Sequence, residues 1–228
     1  MILPPILGPL SAMNALRIHR DDTLVYARLD DGGKNVITLE IAQALLALIR
    51  DTGPSSTLIL EGNDAALSVG LDTETVLSGG PEGAALFSTM GEVLTGLYLG
   101  PVRSVVVTTG HATAAGAMLL LCADRRIGYG AGGKVGLSEV RVGLDVPRPT
   151  QQLVKDRIAV PHQFAATALA TLYRYEQAAQ IGFLDQHCAD RDTAMAMART
   201  EAAQLSALPQ EAYLKTKQAM RSAFAELR

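Results

Sequence analysis

Ser104-Val105-Val106-Val107-Thr108-Thr109-Gly110-His111-Ala112-Thr113-Ala114-Ala115-Gly116-Ala117-Met118-Leu119-Leu120-Leu121-Cys122-Ala123 is the stretch that decides the architecture. Its β-branched start, Ser104 to Thr108, reads as a buried strand. Gly110 opens a turn, and the apolar run from Ala112 to Ala123 reads as a buried helix. That run is far too short to cross a bilayer. A strand feeding a helix through a glycine turn is the unit from which α/β proteins are built.

The same alternation extends outward in both directions. Upstream, Leu16 to Arg20 and Leu24 to Leu29 alternate about a turn at Asp21-Asp22, which predicts a hairpin. Thr38 is placed to cap a helix whose apolar positions are Leu39, Ala42, Leu45, Leu46 and Ile49. Thr57 to Leu60 is a short strand, Glu61 to Asp64 a loop, and Pro81 to about Tyr98 a second helix. Downstream, Arg126 to Tyr129 and Lys134 to Leu137 are further strands. From about Thr150 every periodic segment reads as helix: 151–158, 161–172, 176–181, 192–205 and 209–227. The expectation is an α/β core over residues 14–150, a helical region over 151–228 and a tail over 1–13. The division near 150 marks either a subdomain or a second packing layer.

With 228 residues, 48% of them hydrophobic, the chain can bury one large core. A net charge of −3 with scattered Lys and Arg excludes a basic footprint for nucleic acid. Residues 1–10 are apolar but hold three prolines and no basic segment, which argues against a signal peptide or a membrane anchor. The two cysteines, Cys122 and Cys188, lie far apart without metal spacing and suit a reducing cytoplasm.

Two glycine-containing turns each follow a strand and open a helix: Leu67-Ser68-Val69-Gly70-Leu71-Asp72, and Gly110 to Ala117. Helix N-termini present free N–H groups and a positive dipole end. Two of them aimed at one point would hold a developing oxyanion. Each turn alone is ordinary structure. The pair gains meaning from a third element, a carboxylate on the strand Val135-Gly136-Leu137-Ser138-Glu139-Val140.

In this order and spacing the chain resembles the crotonase superfamily, the enoyl-CoA hydratases and isomerases. The first turn is similar to Phe-Ser-Ala-Gly-x-Asp-Leu, the second to Gly-x-Ala-x-Gly-Gly-Gly. Val135 to Pro147 resembles Phe-Gly-x-Pro-Glu-x-x-x-Gly-x-x-Pro, and Glu176 to Asp185 resembles Ala-x-x-x-Gly-Leu-Val. The resemblance implies an α/β crotonase (ClpP-like) fold of repeated ββα units with a C-terminal helical region used between subunits. It implies an acyl-CoA or enoyl-CoA substrate, no cofactor beyond that CoA, no metal, and a homotrimer or hexamer. It places Leu71 and Ala115 at the two oxyanion N–H groups and Glu139 at a catalytic glutamate. Backbone groups of Ala66 and Val69 would bind CoA. Asp72 caps the helix it opens. His111 reads as a helix-start residue, and Lys34 and Lys217 as solvated lysines, with the CoA 3′-phosphate as the alternative partner.

One departure narrows the chemistry. Family hydratases use a second glutamate three residues after the second oxyanion residue, and Met118 stands there. Methionine has no proton to give, and one remaining glutamate is the pattern of the Δ3,Δ2-enoyl-CoA isomerases. Three readings stand: a single-base proton shuttle, a hydratase-type reaction that recruits Asp145 or a water as second acid, and an acyl-CoA or protein binder without turnover.

Overall fold

A computed structural model describes residues 15–227; the tail expected over 1–13 lies outside them. A six-stranded sheet forms the centre, in the order β1-β2-β4-β7-β9-β11. Its members are β1 (Leu16–Asp21), β2 (Leu24–Leu29), β4 (Thr57–Glu61), β7 (Arg103–Thr108), β9 (Arg125–Tyr129) and β11 (Gln186–Cys188). Hairpin β1–β2 is antiparallel and every other neighbour is parallel. β4 and β7 are buried at every residue, as parallel strands covered on both faces must be. Their side chains alternate between two cores. Leu58, Leu60 and Val106 join the larger one, beneath α1 (Leu39–Asp51), α3 (Pro81–Leu99) and α4 (Ala115–Cys122). Ile59, Val105 and Val107 join the smaller one, beneath α8 (Arg191–Ser206).

The connections of these units build two smaller parallel sheets. One holds β10 (Val135–Gly136), β8 (His111–Thr113) and β5 (Ala66–Ser68); the other pairs β3 (Val36–Ile37) with β6 (Gly70–Leu71). Thr38 caps α1 by accepting from the Ile41 N–H at 3.3 Å. α2 (Thr73–Leu77) follows β6 directly. The helices after β10 are α5 (Arg148–Arg157), α6 (Gln163–Thr167), α7 (Tyr175–Ile181), α9 (Gln210–Met220) and α10 (Ser222–Ala225).

Five local expectations are corrected, each by a tertiary demand. The run expected as one helix from Ala112 to Ala123 splits, because Ala112 and Thr113 pair with Val135 and Gly136 as strand β8. The helix expected over 161–172 stops at Thr167, because the backbone of Tyr173 must extend to exchange both hydrogen bonds with Val135 at 2.9 Å. The segment beyond 150 is not all helix, since β11 pairs with β9 through Gln186 to Cys188. The last helix breaks at Arg221, whose guanidinium turns to donate to Tyr98 O at 2.6 Å and to Asp124 Oδ1 at 3.0 Å.

Lys217 supplies the fifth correction. It is not a solvated lysine: it is only 6% exposed and donates to Val102 O at 2.9 Å while pairing with Asp124 at 3.2 Å. Asp124 also accepts from the Tyr213 hydroxyl and the Ser104 N–H. Burial alone would raise its carboxyl, but the Lys217 and Arg221 charges outweigh that and hold it below the ordinary carboxylate range. This buried group fastens α9 and α10 to the sheet.

Candidate active site

The β10-β8-β5 sheet carries the site. Its strands are parallel, so their C-terminal ends emerge on one side, where ligands of parallel sheets bind. β5 leads through Val69 into β6 and Leu71, β8 leads into α4 at Ala115, and β10 leads to Glu139. Ala114 N–H donates to Gly136 O at 3.1 Å, which ties the second turn to the segment that delivers Glu139. A Cβ built on Gly70 would stand 2.9 Å from Ala114 Cβ and 3.7 Å from Ala115 N, so the two turns touch. Gly70, at φ +115°, is a position where both space and backbone conformation call for glycine.

Neither the Leu71 nor the Ala115 N–H is taken up by the hydrogen bonds that join the two turns to their neighbours among the described residues. The Asp72 N–H makes the bond to Ile37 O, at 2.9 Å. The Leu71 N–H, one residue earlier in an extended segment, faces away from β3, and Leu71 lines the cavity. Ala115 is the first residue of α4, so its N–H has no acceptor within the helix. Ala114, before it, takes the rare backbone pair φ 51°, ψ −124°, which turns the chain so that α4 begins at the cavity wall.

Glu139 does not sit on a strand as expected. It opens a 3-10 turn, Glu139–Val142, three residues beyond the end of β10. It is 7% exposed, and neither carboxylate oxygen has a hydrogen-bond partner among the described residues. Burial pushes its pKa up; the Ser138 and Glu139 backbone N–H groups lie near enough to offset this in part but too poorly aligned to form hydrogen bonds. Glu139, Leu71 and Ala115 line one cavity of about 850 Å³, together with Val69, Met118 and Asp145. Asp145 is exposed at its rim. The other charged residues on its wall, Arg50 and Glu92, pair with each other at 2.7 Å.

The remaining candidates lie elsewhere. Ala66 is fully buried in β5 and does not line the cavity; its N–H donates to Asn63 Oδ1 and its carbonyl accepts from Asn35 Nδ2. Asp72 caps α2, accepting from Glu74 N at 3.2 Å and from Thr75 Oγ1 at 2.7 Å. His111 starts β8 away from the cavity wall, and Lys34 is exposed.

Sequence reasoning passed over several residues that matter. Asn35 and Asn63, both buried, hold the Leu29, Ala66 and Leu67 carbonyls and the Ala65 and Ala66 N–H groups, and so fix the strand that enters the first turn. Thr150 is buried on the cavity wall and donates to Met118 Sδ at 3.3 Å. Phe224, near the C-terminus, also lines the cavity. The positive φ of 54° at Asn35 fits its side-chain type, but nothing local marks Thr150 or Phe224.

A family model described as enoyl-CoA hydratase/isomerase matches residues 22–228. Among solved structures, an enoyl-CoA isomerase from Mycobacterium tuberculosis is 27% identical, with TM-score 0.85 and coverage of 94% of each chain. An enoyl-CoA hydratase/isomerase family protein from Pseudomonas syringae is 27% identical, with TM-score 0.87, covering 95% of this chain and 94% of that one. The human mitochondrial Δ3-Δ2-enoyl-CoA isomerase shares the fold at 22% identity and TM-score 0.87, over 93% of this chain and 85% of its own. No curated protein matches the sequence. The crotonase fold and a family match running from the first hairpin to the last residue agree with the site's arrangement: the chain belongs to the enoyl-CoA hydratase/isomerase family of the crotonase superfamily.

Proposed function

We propose that the protein is an acyl-CoA enzyme that moves a double bond from C3=C4 to C2=C3 of an enoyl thioester, with Glu139 as the single proton shuttle. The observation that carries this reading is the buried, unpartnered Glu139 carboxylate beside a wall where Met118 brings no second acid. Glu139 takes a proton from C2, and the electron pair moves into the thioester carbonyl to give a dienolate. The Leu71 and Ala115 N–H groups stabilise the charge on its oxygen. The dienolate then takes the same proton from Glu139 at C4, leaving the conjugated 2-enoyl product. A raised pKa suits a group that must both accept and return a proton near neutral pH.

Addition of water across a 2-enoyl thioester is the second reading, because Asp145 borders the same cavity. One assay separates the two. Wild type, Glu139→Gln and Asp145→Asn are offered 3-enoyl-CoA and 2-enoyl-CoA, and the conjugated thioester is followed by its absorbance. The proposal expects double-bond migration in wild type, a loss of about 10²–10⁴-fold in Glu139→Gln, and little change in Asp145→Asn. Hydration without migration, abolished by either substitution, would favour the second reading. Absence of both reactions would leave a binding protein.

A further inference from the structure

The interior of α3 carries three glycines, each a residue that weakens a helix. Two have a reason in packing. A Cβ at Gly83 would lie 2.5 Å from Thr75 O, and one at Gly96 would lie 3.0 Å from Ile49 Cγ2, so neighbouring elements need the room. Gly91 has no such reason, since nothing lies within 4 Å of where its Cβ would stand. It lies on the solvent-open side of the cavity, exposed like Phe87 one turn before it, with half-buried Thr95 one turn after. The same cavity continues from the Ala115–Glu139 corner past Met90 and Leu94 to Ile49 of α1, and meets charge there at the exposed Arg50–Glu92 pair. Phe87 to Gly96 spans about 13 Å of helix axis.

We propose that Gly91 is a specificity-determining residue: its missing side chain keeps open the part of the cavity along α3, and the acyl chain of the thioester lies there. An extended chain of about ten to eleven carbons, whose zigzag of ~1.5 Å bonds advances roughly 1.3 Å per bond, comes close to that length. The occupant is apolar because the walls are, and each methylene buried there strengthens binding roughly four-fold. The proposal expects a four-carbon acyl group to gain little from this space. This inference rests on the acyl-CoA reading of the site, but not on which reaction follows binding.

The test uses saturated butanoyl-CoA and decanoyl-CoA, titrated by calorimetry into wild type, Gly91→Ala and Gly91→Leu. Alanine and leucine are better helix formers than glycine, so neither variant should melt below wild type. Wild type is expected to bind decanoyl-CoA at least 100-fold more tightly than butanoyl-CoA. Gly91→Leu should cut that ratio at least ten-fold, and Gly91→Ala by less. A ratio that is equal in wild type and Gly91→Leu, or no chain preference in wild type, overturns the inference. Turnover of 3-decenoyl-CoA is measured beside it. A chain preference lost in Gly91→Leu, without turnover in wild type, supports the inference and sinks the isomerase proposal. Turnover with an unchanged ratio does the reverse, and no binding of either thioester overturns both.

Discussion

Folding buries the Glu139 carboxyl without giving it a partner among the described residues, and its stability effect depends on pH. In the unfolded chain it ionises near its ordinary value of 4.5, whereas burial raises its pKa in the fold. The folded state therefore holds the proton more tightly. Its contribution to stability is complete below pH 4.5 and is lost as pH rises through the folded-state pKa. Glu139→Gln removes the charge and keeps the shape. It is expected to be more stable than wild type at pH 7, on the order of 1–3 kcal/mol, and to lose that advantage by pH 4. Urea denaturation at the two pH values checks this; equal stability at pH 7 would mean that the native carboxylate has found a partner. Met118 owes its place to a different contact, since its sulfur receives the Thr150 hydroxyl and closes the wall where a second carboxyl would stand.

At the scale of elements, the active corner depends on two turns pressed together. Ala114 tolerates φ 51° without being glycine, and its Cβ limits what Gly70 may become. Ala114→Gly should relieve the backbone strain and stabilise the fold by about 1 kcal/mol. Gly70→Ala should cost about 1–3 kcal/mol, from positive φ and the contact with Ala114, and should lower activity by displacing the Leu71 and Ala115 N–H groups. The double variant Gly70→Ala/Ala114→Gly should recover part of the stability by removing the facing Cβ. Thermal melts of the three variants show whether the coupling exists; strictly additive effects would deny it. The same pairing explains why sequence periodicity misread Ala112 and Thr113. Their apolar run is compatible with helix, but the ladder to β10 claims them as strand.

Across the whole molecule, the C-terminal helices are fastened by charge as well as by apolar packing. Asp124, at the end of the α4 connection, gathers Lys217, Arg221 and Tyr213 in a buried group. Asp124→Asn leaves two cations without their counter-charge and is expected to cost about 3–5 kcal/mol at pH 7. The sign with pH follows from its lowered pKa. The stabilisation is present above the ordinary value of 3.8 and is lost as pH falls through the folded-state pKa, so the gap to the variant narrows in acid. Denaturation midpoints at pH 7 and pH 3.5 read this directly, and a gap that widened in acid would contradict the assignment.

The sequence by itself determined the α/β class, the first hairpin, α1, β4, α3 and β7, and, with the family resemblance, the three segments that line the cavity. Each of these rests on local signals: β-branched runs, glycine turns, the Thr38 cap and the spacing around Gly70, Ala115 and Glu139. Together with the crotonase resemblance, it also placed Met118 where the family's hydratases carry a second glutamate. Tertiary structure alone decided that Glu139 is buried and unpartnered, that Lys217 is interior, and that Gln186 to Cys188 joins the sheet. It alone decided that Thr150, Phe224 and Gly91 share the cavity wall. The physical reason is the same in each case. A side chain's solvent, partners and free space are set by residues tens of positions away, and no periodicity of 2 or 3.6 carries that information.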